Sequence, residues 1–290
     1  MGFDIEQSGA FARVLSVTDS RLSLSADDGL RQLLVSELVE LAGGQPPAVV
    51  SVDIFDTLLL RNGKCEARRY WEISELIHQR LGVGTGRAVE VRDLFLARYL
   101  AMRAGYCCGE SIAGCREGQI AHVLATQIEL LGLSPTLQSA FLEIELEYEA
   151  QNLIANYFLL AAIQAAFGPV PIVGISDMYL SAEHIEVLVA RLFADRCTLG
   201  GIFSSADLIL NKRSGHAYPV VAGALNCNLA DMIHVGDNAE ADVSQPRRVG
   251  MKALLFPVTD SEHLERRRDL NLFVEERLRE GLDCGAYASL

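Results

Sequence analysis

The chain has 290 residues, half of them hydrophobic and 22% charged, with a formal net charge of −13. It is therefore globular, with apolar material for one large domain or two of ordinary size. The acidic balance leaves no basic surface for nucleic acid, and an anionic ligand would need help from a cation or from helix amino termini.

The amino terminus, MGFDIEQSGAF, is acidic where a signal peptide is basic, and Glu6 stands where a myristoylation motif has Ser or Thr. Residues 1–47 read as a helical extension, with RQLLVSELVELAGG closing on a glycine pair that stops a helix. After Gln45-Pro46-Pro47, AVVSVD (48–53) is a short, continuously apolar strand. It delivers two acids, Asp53 and Asp56, within VVSVDIFDTLLLR. An isolated acid is costly in a buried strand. Either the strand ends in a solvated turn at Asp53, or Asp53 stands at the carboxyl end of a central strand, where open α/β sheets bind ligands.

From about 67 to 168 the spacing predicts helices in RRYWEISELIHQRLG, AVEVRDLFLARYLAMRAG, GQIAHVLATQIELLG and LQSAFLEIELEYEAQNLIANYFLLAAIQAAFG. The longest apolar run, 154–168, is broken by Asn156 and Gln164 and is shorter than the ~20 residues of a membrane span. ELEYEA (145–150) reads as a solvated helix face. The seven cysteines are scattered without a CxxC pair, which points to free thiols in a reducing, cytoplasmic compartment. CCGESIAGC (107–115) is not read as a metal site.

Strands then alternate with helices. VPIVGISD (170–177) is a strand, SAEHIEVLVARLFAD a helix capped by Ser181, and LGGIFSSADL (199–208) a strand. GHAYPVVAGALNC is a helix, DMIHVGDN (231–238) a strand and MKALLFP (251–257) a last strand. The expected class is α/β: a Rossmann-like parallel sheet with helices on both faces, plus an all-helical cap inserted after the first strand. The core is expected at 48–61 and 169–257, the cap at 62–168, and a polar amphipathic helix at 258–290. A cap in that position lies over the ligand edge of the sheet.

Four strand ends converge in such a sheet. They offer Asp53, then Ser176 with Asp177, then Asp237 with Asp242 beyond it, while Lys212 lies in the loop after the third strand. This set suits phosphoryl transfer: carboxylates hold Mg2+ through hard oxygen ligands, cations neutralise phosphate charge, and one carboxylate attacks phosphorus. Arg213 competes with Lys212 for its role, Lys252 lies inside the last strand, and His234 reads as a structural histidine.

DIFDT (53–57), GIS (174–176), NKRSG (211–215) and HVGDNAEAD (234–242) together resemble the four motifs of the haloacid dehalogenase (HAD) superfamily, in the same order. The resemblance covers about 48–257. It is greatest to a bacterial branch of predicted hydrolases often encoded near, or fused to, surface-polysaccharide glycosyltransferases. It implies that Asp53 is the nucleophile, forming an aspartyl-phosphate, and that Ser176 and Lys212 grip the phosphoryl oxygens. Thr57 would position the loop. Asp53, the carbonyl of Phe55 and Asp237 would hold Mg2+, with Asp242 supporting the metal shell or orienting Lys212. The substrate expected is a small phosphorylated metabolite such as a sugar phosphate, and the oligomeric state is not legible.

One position departs from the pattern. Phosphatases of the superfamily carry a second Asp, the general acid, where this chain has Phe55. Loss of a general acid typically costs about 10²–10⁴ in rate. The leaving group then needs no acid, as in an acyl phosphate, or the acid is Asp56, Asp177 or a cap residue, or the reaction is not phosphate-ester hydrolysis. An aromatic residue there is familiar from the dehalogenases, which need no metal and lack the acidic pair Asp237 and Asp242. A binding protein that has lost turnover is a further alternative.

Overall fold

The computed structural model describes residues 9–81, 89–194 and 196–284. The outermost parts of the expected terminal helical segments, 1–8 and 285–290, lie outside the described residues. Helices α1 (Ala10–Ser16) and α2 (Asp28–Ala42) precede strand β1 (Val49–Asp53) and the short β2 (Leu59–Arg61). Then come α3 (Glu66–Leu81), α4 (Val91–Cys108), β3 (Ser111–Ile112) and β4 (Cys115–Arg116). Helices α5 (Ile120–Leu130) and α6 (Gln138–Asn152), strand β5 (Leu153–Ala155) and helix α7 (Tyr157–Phe167) follow. The next elements are β6 (Ile172–Ser176), α8 (Ala182–Phe193), β7 (Ile202–Ser204), α9 (Ser205–Leu208) and α10 (Ala217–Ala224). The last are β8 (Met232–Gly236), α11 (Gln245–Arg248), β9 (Lys252–Leu255) and α12 (Asp260–Arg279).

Five strands form one parallel sheet in the order β7-β6-β1-β8-β9. The chain builds outward from β1 on one side through β6 and β7, then returns to the other side with β8 and β9. The order therefore reverses beside β1, the place where open α/β sheets form a ligand crevice. Every residue of β1 and β8 is buried, which is why these strands are apolar runs rather than alternating ones. Val50 and Val52 join the large core beneath α2, α7 and the inserted helices. Val49 packs with Val173, Ile175 and Tyr218 on the opposite face.

Helix α2 opens at Asp27, whose side chain accepts the Leu30 N–H, and stops at Gly43 with φ 75°, a left-handed conformation that glycine adopts without a Cβ clash. Helix α8 opens at Ser181, which accepts the His184 N–H.

Three local expectations are corrected. The strand expected at 199–208 is only Ile202–Ser204, because the Ser204 hydroxyl accepts the Ala206 N–H and starts α9. The insert is not wholly helical: β5 returns antiparallel along β2, and β3 pairs with β4. Nor does ELEYEA face solvent throughout. Glu145 and Glu149 are one helical turn apart and both 1% exposed; Glu145 pairs with Arg98 at 2.6 Å and Glu149 pairs with Arg69. Two inward arginines turn that stripe into the inside of the insert.

Candidate active site at the carboxyl edge of the sheet

Strand β1 is flanked by β6 and β8, so Asp53, Ser176 and Asp237 leave the sheet side by side. Beyond Asp53 the chain closes a tight loop in which Leu58 N–H donates to the Asp53 carbonyl at 3.2 Å and Leu59 N–H to that of Ile54 at 2.7 Å. After β8, Asn238 caps a π-helical turn, Ala239–Ser244, by accepting from Glu240 and Ala241 N–H. That turn swings Asp242 back over Gly236, where a Cβ would lie 2.4 Å from the Asp242 carboxyl carbon. Only glycine allows this approach.

The side chains meet as the strand ends do. Carboxylate oxygens of Asp53, Asp237 and Asp242 all lie within 4.8 Å of one another. The Lys212 ammonium, 3% exposed, donates to Asp53 Oδ1 at 2.5 Å and to Asp242 Oδ1 at 2.7 Å. It is Lys212, not Arg213, that reaches Asp53; the Arg213 guanidinium points to Glu117, 3.6 Å away. Asp177 accepts the Lys212 backbone N–H on both oxygens, at 2.9 and 3.0 Å, and so fixes the loop that delivers this lysine. Ser176 and Phe55 line the same cavity as the acids, whose volume is about 660 Å³. Thr57 is fully buried, its hydroxyl favours the charged form of Asp53, and its carbonyl accepts from Asn156 Nδ2 at 2.8 Å. Lys252 is remote and donates to the Ala42 carbonyl at 3.0 Å.

His234 lies beneath the site, fully buried between Ser51 Oγ (2.8 Å from Nδ1) and Asp242 Oδ1 (3.1 Å from Nε2). Burial lowers its pKa despite the Asp242 contact. A neutral ring gives Nε2–H to Asp242 and accepts the Ser51 hydroxyl at Nδ1, so it orients Asp242. Strand periodicity places residue 234 on the face of Gly236, a signal for this role that the sequence does carry.

The charges do not balance. Burial pushes the Asp53 carboxyl up to about 7, against the pull of Lys212 and with the push of Asp242. Burial and the neighbouring Asp53 and Asp242 raise Asp237 well above the usual range. Burial also opposes ionisation of Asp242, but Lys212 and His234 outweigh it and hold that carboxyl low. One ammonium thus faces three carboxylates. Asp53 Oδ2 is buried without a hydrogen-bond partner, and no hydrogen bond or ion pair engages the Asp237 side chain among the described residues. A set of hard oxygens with spare lone pairs and excess negative charge fits a hard metal cation.

Asp56 is elsewhere occupied. Arg266 grips it at 2.5 and 3.1 Å, and Arg21 and Arg61 each approach to 3.4 Å. These partners lie far away in the chain or past the turn, and nothing in the local sequence announced them.

No protein-family model matches the sequence, and no curated protein matches it. Among solved structures, a 2-haloacid dehalogenase from Pseudomonas syringae pv. Tomato is similar, with a TM-score of 0.51 at 16% identity, covering 72% of this chain and 86% of that one. A defluorinating L-2-haloacid dehalogenase gives 0.49 at 14% identity, over 77% of this chain and 85% of its own. A HAD family enzyme from Bacteroides thetaiotaomicron gives 0.46 at 10%, over 76% and 98%. At these identities the likeness is one of fold alone.

Proposed function

We propose that the chain is an Mg2+-dependent phosphohydrolase acting through an aspartyl-phosphate on a small phosphorylated metabolite. The observation that carries this reading is three carboxylates and one buried ammonium on a single strand edge, with Asp53 Oδ2 buried and without a partner. Asp53 is the nucleophile, Lys212 and Ser176 hold phosphoryl oxygens, and Thr57 braces the loop. Asp53, Asp237, Asp242 and the Phe55 carbonyl would hold the metal, which when bound neutralises the cluster and supplies a Lewis acid for the phosphoryl oxygens. An Asp53 oxygen attacks phosphorus and the leaving group departs with the P–O electron pair. Water then cleaves the aspartyl-phosphate, freeing phosphate and restoring the carboxylate.

Phe55 supports a second reading, a metal-independent dehalogenase, since an apolar ring at the cavity wall suits a carbon–halogen bond. The acidic trio weighs against it, because three carboxylates without a cation repel both one another and an anionic haloacid. The test is phosphate release from a panel of phosphate compounds with Mg2+, beside halide release from 2-haloacids without it. Asp53→Asn is expected to lose at least about 10³ in kcat/KM. Equal, background-level phosphate release by wild type and variant would sink the phosphohydrolase.

A further inference from the structure

Every acid of the cavity outside the trio is engaged, and each engagement bears on the missing proton donor. Asp56 has both oxygens occupied by guanidinium groups. Asp177 has both on backbone N–H. Glu117, 3% exposed, accepts from Ser205 Oγ at 2.8 Å and from Asn211 Nδ2 at 2.6 Å. Glu66, on the first turn of α3, accepts the Tyr70 hydroxyl at 2.9 Å. With Phe55 at the remaining position, the cavity offers no carboxyl committed to giving a proton away.

The insert's side of the cavity carries cations as well, beside its own Glu66 and Glu117. Arg103 on α4 and Arg116 on β4 both line it. Arg116 Nη1 bonds only neutral carbonyls, of Gly109 at 2.9 Å and Cys107 at 3.3 Å, and neither arginine has a carboxylate partner among the described residues. Arg61 adds a third guanidinium, stacked 4.8 Å over the Phe55 ring, with a buried Nε that has no acceptor. Arg61 is paired with Asp56, but in a chain of net charge −13 Arg103 and Arg116, left without acids beside a catalytic edge, are a receptor for negative charge.

We infer that the phosphoryl group is taken from a second phosphate, so that the substrate is a phosphoanhydride and Arg103 and Arg116 receive the departing phosphate. This rests on the phosphohydrolase reading and narrows it. An alkoxide needs a proton as it leaves, and that help is worth about 10²–10⁴ in rate. A phosphate leaves as a stable anion and needs cations instead, and guanidinium forks match its oxygens. A cavity of about 660 Å³ is in the range that holds a whole small ligand. In the step, an Asp53 oxygen bonds to the terminal phosphorus, the bridging P–O bond breaks, and its electron pair leaves on the second phosphate. Water cleaves the aspartyl-phosphate, its protons going to the phosphate products and solvent.

The experiment compares kcat/KM of the full chain with Mg2+ for ADP and pyrophosphate against AMP and glucose 6-phosphate. p-Nitrophenyl phosphate is the reference, having a good leaving group that is not a phosphate. The anhydrides are expected to exceed the alkyl esters by about 10²-fold or more. Arg103→Ala and Arg116→Ala should each raise KM for ADP about tenfold, with a distinctly smaller loss on p-nitrophenyl phosphate, and Arg116→Lys should recover part of the loss. AMP or glucose 6-phosphate cleaved within tenfold of ADP overturns the inference, all the more if Glu66→Gln abolishes that cleavage. So does acetyl phosphate outrunning ADP, or arginine variants that lose equally on all substrates. Activity on p-nitrophenyl phosphate alone removes the anhydride and keeps the phosphohydrolase. Inactivity on every compound removes both.

Discussion

Asp56 adopts a left-handed backbone, φ 63°, one residue after Phe55, and its carboxylate is the meeting point of three chain segments. Arg21 comes from the turn before α2, Arg61 from β2 and Arg266 from α12. Arg21, with a fully buried side chain, also pairs with Glu262 at 2.6 Å. Burial works against the Asp56 charge, but Arg61, Arg266 and Arg21 hold the carboxyl below its ordinary range. Breaking one partner of a buried ion cluster strands the others, so Asp56→Asn should cost about 3 kcal/mol in urea unfolding. A group depressed in this way stabilises the fold fully above its unfolded pKa, and the contribution fades as pH falls through the folded value. The gap between wild type and Asp56→Asn should therefore stay level from pH 8 to about 5 and narrow below about pH 4. A gap that instead widens on acidification contradicts the ion-cluster account. The positions of Asp53 and Asp237 were legible because strand grammar puts them at strand ends. Arg21 and Arg266 were not, being 35 and 210 residues from Asp56, with no periodicity linking them.

At the scale of elements, helical spacing and caps located α2, α8 and α10, and apolar runs located the five parallel strands. What the spacing could not tell was the partner of each face. Helix α12 reads as polar, yet Phe273 on it is fully buried, packed edge-on against Trp71 at 6.0 Å and tilted against Phe95 at 5.8 Å. Arg68 on α3 bonds Asp269 at 2.6 Å and Glu276 at 2.9 Å on the same helix. The carboxy-terminal helix therefore braces the base of the insert as well as Asp56. Phe273→Ala empties that aromatic cluster and should destabilise by about 3–5 kcal/mol, read as a shifted denaturation midpoint. A loss under about 1 kcal/mol would show that α12 is dispensable. The same limit explains ELEYEA: one glutamate stripe looks alike whether it faces water or two buried arginines.

Across the whole molecule, a protein of net charge −13 concentrates three acids against one lysine at the centre of its sheet. A cation that binds only the folded form stabilises it by mass action. Millimolar Mg2+ should thus raise the Tm of wild type, and raise it much less for Asp237→Asn. Ionic strength must be held constant, because screening alone relieves some repulsion. An equal rise in both proteins would mean that Mg2+ acts at a place other than the trio. The parallel sheet that forms this crevice followed from the alternation of strands and helices. The length of the third strand and the small strands at β2 and β5 did not, because the Ser204 cap sits inside an apolar run that reads as strand, and β2 pairs with a strand on the far side of the insert. The central claim is that Asp53 becomes phosphorylated. Its most direct test is acid quenching of the wild-type chain during turnover with Mg2+, followed by peptide mass analysis. The account predicts a phosphoryl adduct on the peptide containing Asp53, absent without Mg2+ and absent in Asp53→Asn. A turning-over enzyme with no adduct there, or with one on another residue, would contradict it.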